Sequence, residues 1–420
     1  MHDQSFAKNT LEQMLQKGDF NGVPSAHQAL FRQQTVARAI AAATTNFAAT
    51  PVLLRSFPVK GKTVYGLSGL ANELVARKLA SNLRRHIKTY TKGRTHIVSS
   101  LKLLLEEGVP FRVYRLDIKS FYESFKHENI SHAVEKLSRL APLSKSLINA
   151  ILDHHNSVGG SGTPRGLAMS ASISDLMMKE FDLRTSANPE VFFYARYVDD
   201  IILITSCRER RRILISELLN NLPPGLELNP KKQRVVEASK KMSPLPHGSS
   251  TVELLRFDYL GYSFSVREPV KSRGADRPTQ RDVLVDLAPA KIRKIKTRIA
   301  RAFLDYSRNP DWPLLKDRIK FLTRNFGVYN AKAGGKKLAG IYYSYPLLSE
   351  NAKALGALDR FLRNAILSRK GSIFSVSASI LSAKQRQSLL GHSFVNGHSE
   401  RHFVYFSPAR ISQIQECWKY

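Results

Sequence analysis

The stretch "YARYVDDIILIT", residues 194–205, sets two adjacent carboxylates, Asp199 and Asp200, between two runs rich in Tyr, Val and Ile. Runs of that composition, bounded by polar segments, read as β-strands. An unpaired carboxylate is costly to bury, so the pair belongs at the turn between the strands or against a cation. For an isolated Asp-Asp pair a polar hairpin turn would be explanation enough. What surrounds it changes the reading.

Upstream, "FRVYRLDI", residues 111–118, alternates apolar and polar side chains as a strand does, and it ends at Asp117. An Asp closing a strand is ordinarily a turn residue. Taken with Asp199 and Asp200 it becomes the third acid of a cluster on one sheet. Phosphoryl transfer wants such a cluster, because two divalent ions about 3.5–4 Å apart can serve the attacking and the departing oxygen. Mg²⁺ prefers oxygen ligands and is commonly held by one or two carboxylates plus substrate phosphates.

Composition points the same way. Lys and Arg number 65 against 34 Asp and Glu, a net charge of +31, so the expected partner is a large polyanion. An anionic membrane could use such charge too, but no apolar run reaches the length of a membrane span and no basic run abuts one, so a nucleic acid ranks above a membrane surface and no membrane partner is expected. The first residues, "MHDQSFAKNTLEQML", lack the charged-then-apolar pattern of a secretory signal. Two cysteines, Cys207 and Cys417, are too few for a disulfide framework or a cysteine zinc site and suit a reducing cytoplasm.

Along the chain, residues 25–45 read as an Ala-rich helix that breaks before Pro51, and residues 68–106 as helical around a basic middle, "RRHIKTYTKGRTH". "SVGGSGTPRG" reads as a loop leading into a helix that begins near Ser170 or Ser172, and a further helix is predicted at about 208–221. "ASKKMSPLPHGSS" reads as an exposed loop, "FDYLGYSFSV" as a strand pair and "REPVKSRGADRPTQRD" as a basic linker. Beyond it, Ile292, Ile295, Ile299 and Phe303 fall at helical spacing while Lys and Arg fill the other face. From residue 287 onward there are 24 Lys and Arg against 7 Asp and Glu, more than half of the excess charge.

The order of these segments resembles the palm of reverse transcriptases. "RLDIKSFYESF" looks like the first palm motif, "GTPRGLAMSASISD" the second, "YVDD" the third, "LELNPKKQ" the fourth and "FDYLGY" the fifth, over about residues 110–265. A lone YVDD would say little; five motifs in sequence say much. The resemblance implies an α+β right-hand polymerase fold with fingers, an antiparallel-sheet palm and a helical, basic thumb and C-terminal region. Its boundaries would be a helical extension over 1–50, fingers and palm over 51–270, linker and thumb over 271–345, and a basic extension over 346–420.

The same resemblance implies roles. Asp117, Asp199 and Asp200, with the Ile118 carbonyl, would hold two Mg²⁺ ions, for which Mn²⁺ could substitute. Tyr122, beside Phe121, would be an aromatic gate beneath the nucleotide sugar that leaves no room for a 2′-hydroxyl. That favours dNTPs and argues against an RNA-making relative. Gly162 to Gly166 would bring backbone close to the nucleotide, with Arg165 standing where many relatives carry Gln. Lys232 would help pyrophosphate depart as a general acid. Leu260, Gly261 and Tyr262 would grip the primer. Arg84, Arg85, Lys88 and Arg94, and in the thumb Arg293, Lys294, Lys296 and Arg298, are candidates for nucleic-acid or triphosphate contact.

Within the family the chain looks most like the bacterial defence-associated reverse transcriptases, specifically the first polymerase subunit of the third type. "IKFLTRNFGVYN" and "GIYYSYPLLSE" add to that likeness. It would imply anti-phage defence in the bacterial cytoplasm, a noncoding RNA as template and scaffold, a DNA product and a second reverse transcriptase from the same operon. A homo-oligomer is compatible with it. The alternatives are a palm-fold RNA-binding scaffold without chemistry, and an untemplated or protein-primed DNA polymerase.

Overall fold

The computed structural model describes residues 3–59, 61–87, 92–273, 278–330, 335–368 and 372–419. The chain divides into two compact units, one built mainly from residues 1–94 and 110–239, the other from 95–109, 240–330 and 334–420. Both mix helices with sheets in which antiparallel pairing dominates, the α+β class that the sequence predicts.

The first unit opens with short helical pieces and the helix Gln28–Thr44. An antiparallel hairpin follows, β1 (Leu54–Val59) and β2 (Lys62–Leu67), and then the helix Leu70–His86. The centre is a four-stranded antiparallel sheet of β3 (Phe111–Asp117), β4 (Val191–Tyr197), β5 (Asp200–Thr205) and β6 (Arg234–Ala238) in the order β4-β5-β3-β6. The two inner strands carry the apolar core. Leu116, Ile201 and Leu203 are fully buried, and they join Ile148, Ile151 and Phe181 from the helices Pro142–Ser157 and Ser170–Ser186. Burying both faces of β5 explains its continuous apolar run, "IILIT".

The second unit holds an antiparallel sheet of β7 (Glu253–Tyr259), β8 (Tyr262–Arg267) and β9 (Asp282–Leu287). Its other sheet contains β10 (Asn325–Asn330), β11 (Gly335–Gly340) and the short β12 (Phe403–Val404). The helix Pro289–Arg308 buries Ile299 and Phe303 against Leu358 and Leu362, as the spacing of its apolar residues predicts. The stretch read as a basic linker is tied down on both sides of residues 274–277. Val270 pairs with Leu245, and the buried Arg281 guanidinium donates to the carbonyls of Glu107, Val109 and Lys240 at 2.6–2.7 Å. Its C-terminal end also runs into β9, a strand that the linker reading did not anticipate. Among the described residues no helix is long and apolar enough to cross a membrane.

Candidate active site

Strand register brings the acids together. Asp117, the last residue of β3, pairs with Asp200, the first of β5, and Tyr197 closes the β4–β5 hairpin opposite Asp200. Val198 and Asp199 therefore form the turn. Val198 sits at φ +61°, which a β-branched residue adopts only when its surroundings impose it. Two contacts do so. The Arg196 guanidinium donates to the Val198 carbonyl at 3.1 Å, and the Ile118 amide donates to the Asp199 carbonyl at 3.1 Å.

Arg196 is 1% exposed and is itself held from below. Its Nε and one terminal nitrogen form a two-pronged pair with Asp182 at 2.8 and 2.7 Å, and that nitrogen also reaches Asp175 at 3.2 Å. The Tyr194 hydroxyl donates to Asp182 as well. Asp175 and Asp182 stand seven residues apart on the helix Ser170–Ser186, two turns, hence on one face. Strand, turn and helix are locked through one buried cation.

The acids themselves are met by cations. Lys232 donates to Asp117 Oδ1 at 2.9 Å, and Arg115 lies 3.6 Å from Asp200. Asn229 adds its backbone amide to the Asp117 carbonyl at 2.7 Å and its side-chain amide to Asp117 Oδ2 at 3.2 Å. Burial raises the pKa of both Asp199 and Asp200, and the neighbouring carboxylates push the same way. Among the described residues no group of three His, Cys, Asp or Glu side chains is already gathered tightly enough to hold a metal ion. The donor chemistry nevertheless fits a hard divalent cation. Three oxygen-bearing acids share one sheet end, and two of them are held at a cost in burial and, less so, in charge repulsion that such an ion would relieve.

Tyr122 follows Asp117 by five residues and is half-buried, with the Phe121 ring edge-on at 5.4 Å. Phe121, named with Tyr122 as a candidate for nucleotide contact, lies beneath that ring. At 2% exposure it packs with Phe125 under the turn and has no surface to offer a nucleotide. The second-motif loop is pressed against the Tyr122 backbone. Thr163 donates to the Tyr122 carbonyl from its amide at 2.8 Å and from its hydroxyl at 3.2 Å. Gly162, at φ +67°, approaches so closely that a Cβ would lie 2.1 Å from that same oxygen. Arg165 pairs with Glu123 at 2.9 Å, and its guanidinium carbon stands 4.6 Å from the centre of the Tyr122 ring. On its other side the loop meets the β1–β2 hairpin, where the Tyr65 amide donates to the Arg165 carbonyl at 2.7 Å.

Arg84 and Arg85 are exposed at the end of the helix Leu70–His86 and line a cavity of about 530 Å³ with Gln13, Gln16, Gly166 and Ala168. Arg94 begins the helix Arg94–Leu105, and Lys88 lies outside the described residues. In the second unit Leu260 and Gly261 make the tight β7–β8 turn at φ +47° and +85°, and Tyr262 is buried against Tyr345. On the helix Pro289–Arg308, Arg293 and Lys294 are exposed. Lys296 lies over the Phe361 ring and Arg298 over Trp418, so packing claims part of both side chains.

Residues 75–264 match the family model described as reverse transcriptase (RNA-dependent DNA polymerase), a span holding all five motifs and the sheet end just described. That segment is a reverse transcriptase domain. Among solved structures, one that matches is an apo telomerase from Candida Tropicalis truncated from its C-terminal domain, 14% identical, with a TM-score of 0.34. The match covers 51% of this chain and 53% of the telomerase chain, so this chain spans about half the length of that structure. None of the curated proteins matches the sequence.

Sequence reasoning did not find Tyr65, Glu123, Asn229 or Arg196. The Asn-Pro pair at 229–230 and Gly61 between two charged residues were available signals for two of these neighbourhoods.

Proposed function

We propose that the protein is an RNA-directed DNA polymerase that copies a bound RNA by nucleotidyl transfer at Asp117, Asp199 and Asp200. The observation that carries this is the register Asp117↔Asp200 with Asp199 in the adjoining turn, inside a reverse transcriptase domain. In the reaction the primer 3′-oxygen bonds to the α-phosphorus of a dNTP while the bond to the β-phosphate oxygen breaks. The hydroxyl proton passes to solvent and pyrophosphate departs. Two divalent ions, Mg²⁺ in this proposal, would be held by the three acids and would neutralise charge on the attacking and leaving oxygens.

Each residue then has a task. Tyr122 excludes the 2′-hydroxyl, and the Gly162–Gly166 loop shapes the nucleotide side of the site. Lys232, already beside Asp117, supplies a proton for the departing pyrophosphate. The Leu260–Gly261 turn grips the primer, seated on the buried Tyr262. The charge beyond residue 287 retains a folded noncoding RNA through phosphates and 2′-hydroxyls. The likeness of the motif series to the defence-associated enzymes supports anti-phage defence as its setting, in the bacterial cytoplasm with a second reverse transcriptase.

The test is incorporation of labelled dNTPs or NTPs with Mg²⁺, using protein purified with its bound RNA beside the Asp199→Ala/Asp200→Ala variant. DNA product that the double variant does not make supports the proposal, and its sequence identifies the template. RNA retained with no product from either protein would instead support the non-catalytic scaffold.

A further inference from the structure

The second-motif loop carries Arg165, and the structure shows where that side chain goes. Nε and a terminal nitrogen of the guanidinium meet the Glu123 carboxylate at 3.1, 2.9 and 3.2 Å. That pairing sets the guanidinium beside the Tyr122 ring, 4.6 Å from its centre. Glu123 is the residue after Tyr122, so the gate ring and the anchor for its cover share one piece of backbone. Both sit on the loop through Thr163 and the close approach of Gly162.

We propose that Arg165 and Glu123 form a brace that fixes the Tyr122 ring and thereby sets discrimination against ribonucleotides. This rests on the polymerase reading and deepens it. A ring excludes a 2′-hydroxyl only if it does not yield when pressed. Phe121 limits Tyr122 at one edge, and the Arg165 guanidinium covers a face. A planar cation stacks on an aromatic face and holds a carboxylate with two parallel donors at once. Gln offers neither the charge nor the fork, and Lys offers the charge without the plane. Glu123 supplies the counter-charge that keeps the guanidinium in place rather than swinging toward a nucleotide phosphate. Arg165 is in this account a positioning residue acting through Tyr122, and the Tyr65 amide on its carbonyl steadies its backbone from the hairpin side.

The measurement is kcat/KM for a dNTP and its matching NTP in the RNA-loaded protein and in five variants: Glu123→Gln, Arg165→Gln, Arg165→Lys, Tyr122→Ala and the double variant Tyr122→Ala/Arg165→Gln. Glu123→Gln conserves shape and serves as the variant least able to disturb folding. The brace predicts that each of the first three lowers the dNTP-to-NTP preference by about 3- to 10-fold, the scale of a half-exposed cation–aromatic contact. The change should appear chiefly as a lower KM for the NTP. In the Tyr122→Ala background, Arg165→Gln should change the preference no further.

Preference within twofold of the parent in Glu123→Gln and Arg165→Gln would overturn the brace. So would an Arg165→Gln effect that persists undiminished without the Tyr122 ring, because Arg165 would then be touching the nucleotide itself. A parent protein that incorporates neither nucleotide overturns the polymerase reading and the brace with it, whereas a parent selective for dNTPs isolates the brace as the claim under test.

Discussion

Replacing Arg196 by Met should destabilise the sheet that carries the acids far more than an average substitution. The guanidinium is 1% exposed and satisfies the equally buried Asp182 through two bonds, Asp175 through a third contact and the Val198 carbonyl through a fourth. A methionine fills much of the space but leaves Asp182 as a buried charge whose remaining partner is the Tyr194 hydroxyl. Removing one partner of such a pair costs about 3–5 kcal/mol. For a unit of about 150–250 residues, that corresponds to a fall in Tm of roughly 6–20 °C. Both tryptophans, Trp312 and Trp418, belong to the second unit, so their fluorescence would report the wrong part of the molecule. Hydrogen exchange at the β4 and β5 amides reads the affected strands directly. The companion variant Arg196→Met/Asp182→Asn removes both charges and should recover about 2 kcal/mol or more of the loss. A single variant within about 1 kcal/mol of the parent, or a double variant no better than the single, would show that the buried network does not hold the hairpin.

His392 supplies the pH prediction. Burial, with Arg324, Lys320 and Lys316 nearby, lowers its pKa to about 4, so the folded protein keeps it neutral while the unfolded chain protonates near 6.5. Stability of the second unit should therefore fall as pH drops from about 6.5 toward 4, by on the order of 3 kcal/mol. Trp fluorescence in urea should show His392→Leu losing that dependence; an unchanged slope would refute it. Gly162→Ala places a Cβ 2.1 Å from the Tyr122 carbonyl oxygen and must push loop and gate apart. Polymerisation should drop by about 100-fold, as displacements near 1 Å can do, and a variant with near-parental kcat would contradict the close approach. Charge reversal of Arg293 and Lys294, the two exposed members of the thumb set, should reduce co-purified RNA. It should also lower the salt dependence of RNA binding by a slope of about 2 or less, near 0.7–0.9 per lost phosphate contact. Retention equal to the parent across salt would exclude that helix face from the RNA-holding surface.

The parts of the fold that were legible in the sequence are those where burial imposes a period. β3 alternates, β5 is continuously apolar because both of its faces are covered, and the helix Pro289–Arg308 shows its stripe at Ile299 and Phe303. The β1–β2 hairpin left no such trace. Its first strand is exposed over nearly its whole length and contains Pro58, so nothing selects an apolar alternation. β9, "DVLVDL", does alternate, but it abuts a charged segment whose composition dominated the reading. In the site, the acids announced themselves by position at strand ends. Their supports did not, because Arg196 pairs with a helix at Asp175 and Asp182, and Asn229 reaches Asp117 across more than a hundred residues. A single sequence carries no pattern for a contact of that range.

Burial also divides the site by stiffness. Leu116, Ile201 and Ile202 behind the acids are fully buried, and the turn that carries Asp199 is fixed from both sides, by Arg196 and by the Ile118 amide. The hairpin that meets Gly166 has β1 almost wholly exposed, with Phe57 and Val59 standing 47% and 43% open. Reacting groups for phosphoryl transfer must be held to within fractions of an ångström, whereas whatever covers the nucleotide must open to admit it and release pyrophosphate. Those two demands conflict if one element serves both. Here Asp117 and Asp200 end the inner strands with Asp199 in the adjoining turn, the β1–β2 hairpin is largely exposed along its first strand, and the Gly162–Gly166 loop meets that hairpin through the Tyr65–Arg165 hydrogen bond and the Tyr122 carbonyl through Thr163. Under the proposed function, a hairpin that closed over the nucleotide would act on Tyr122 through this loop, at the point where the Arg165–Glu123 pair sits.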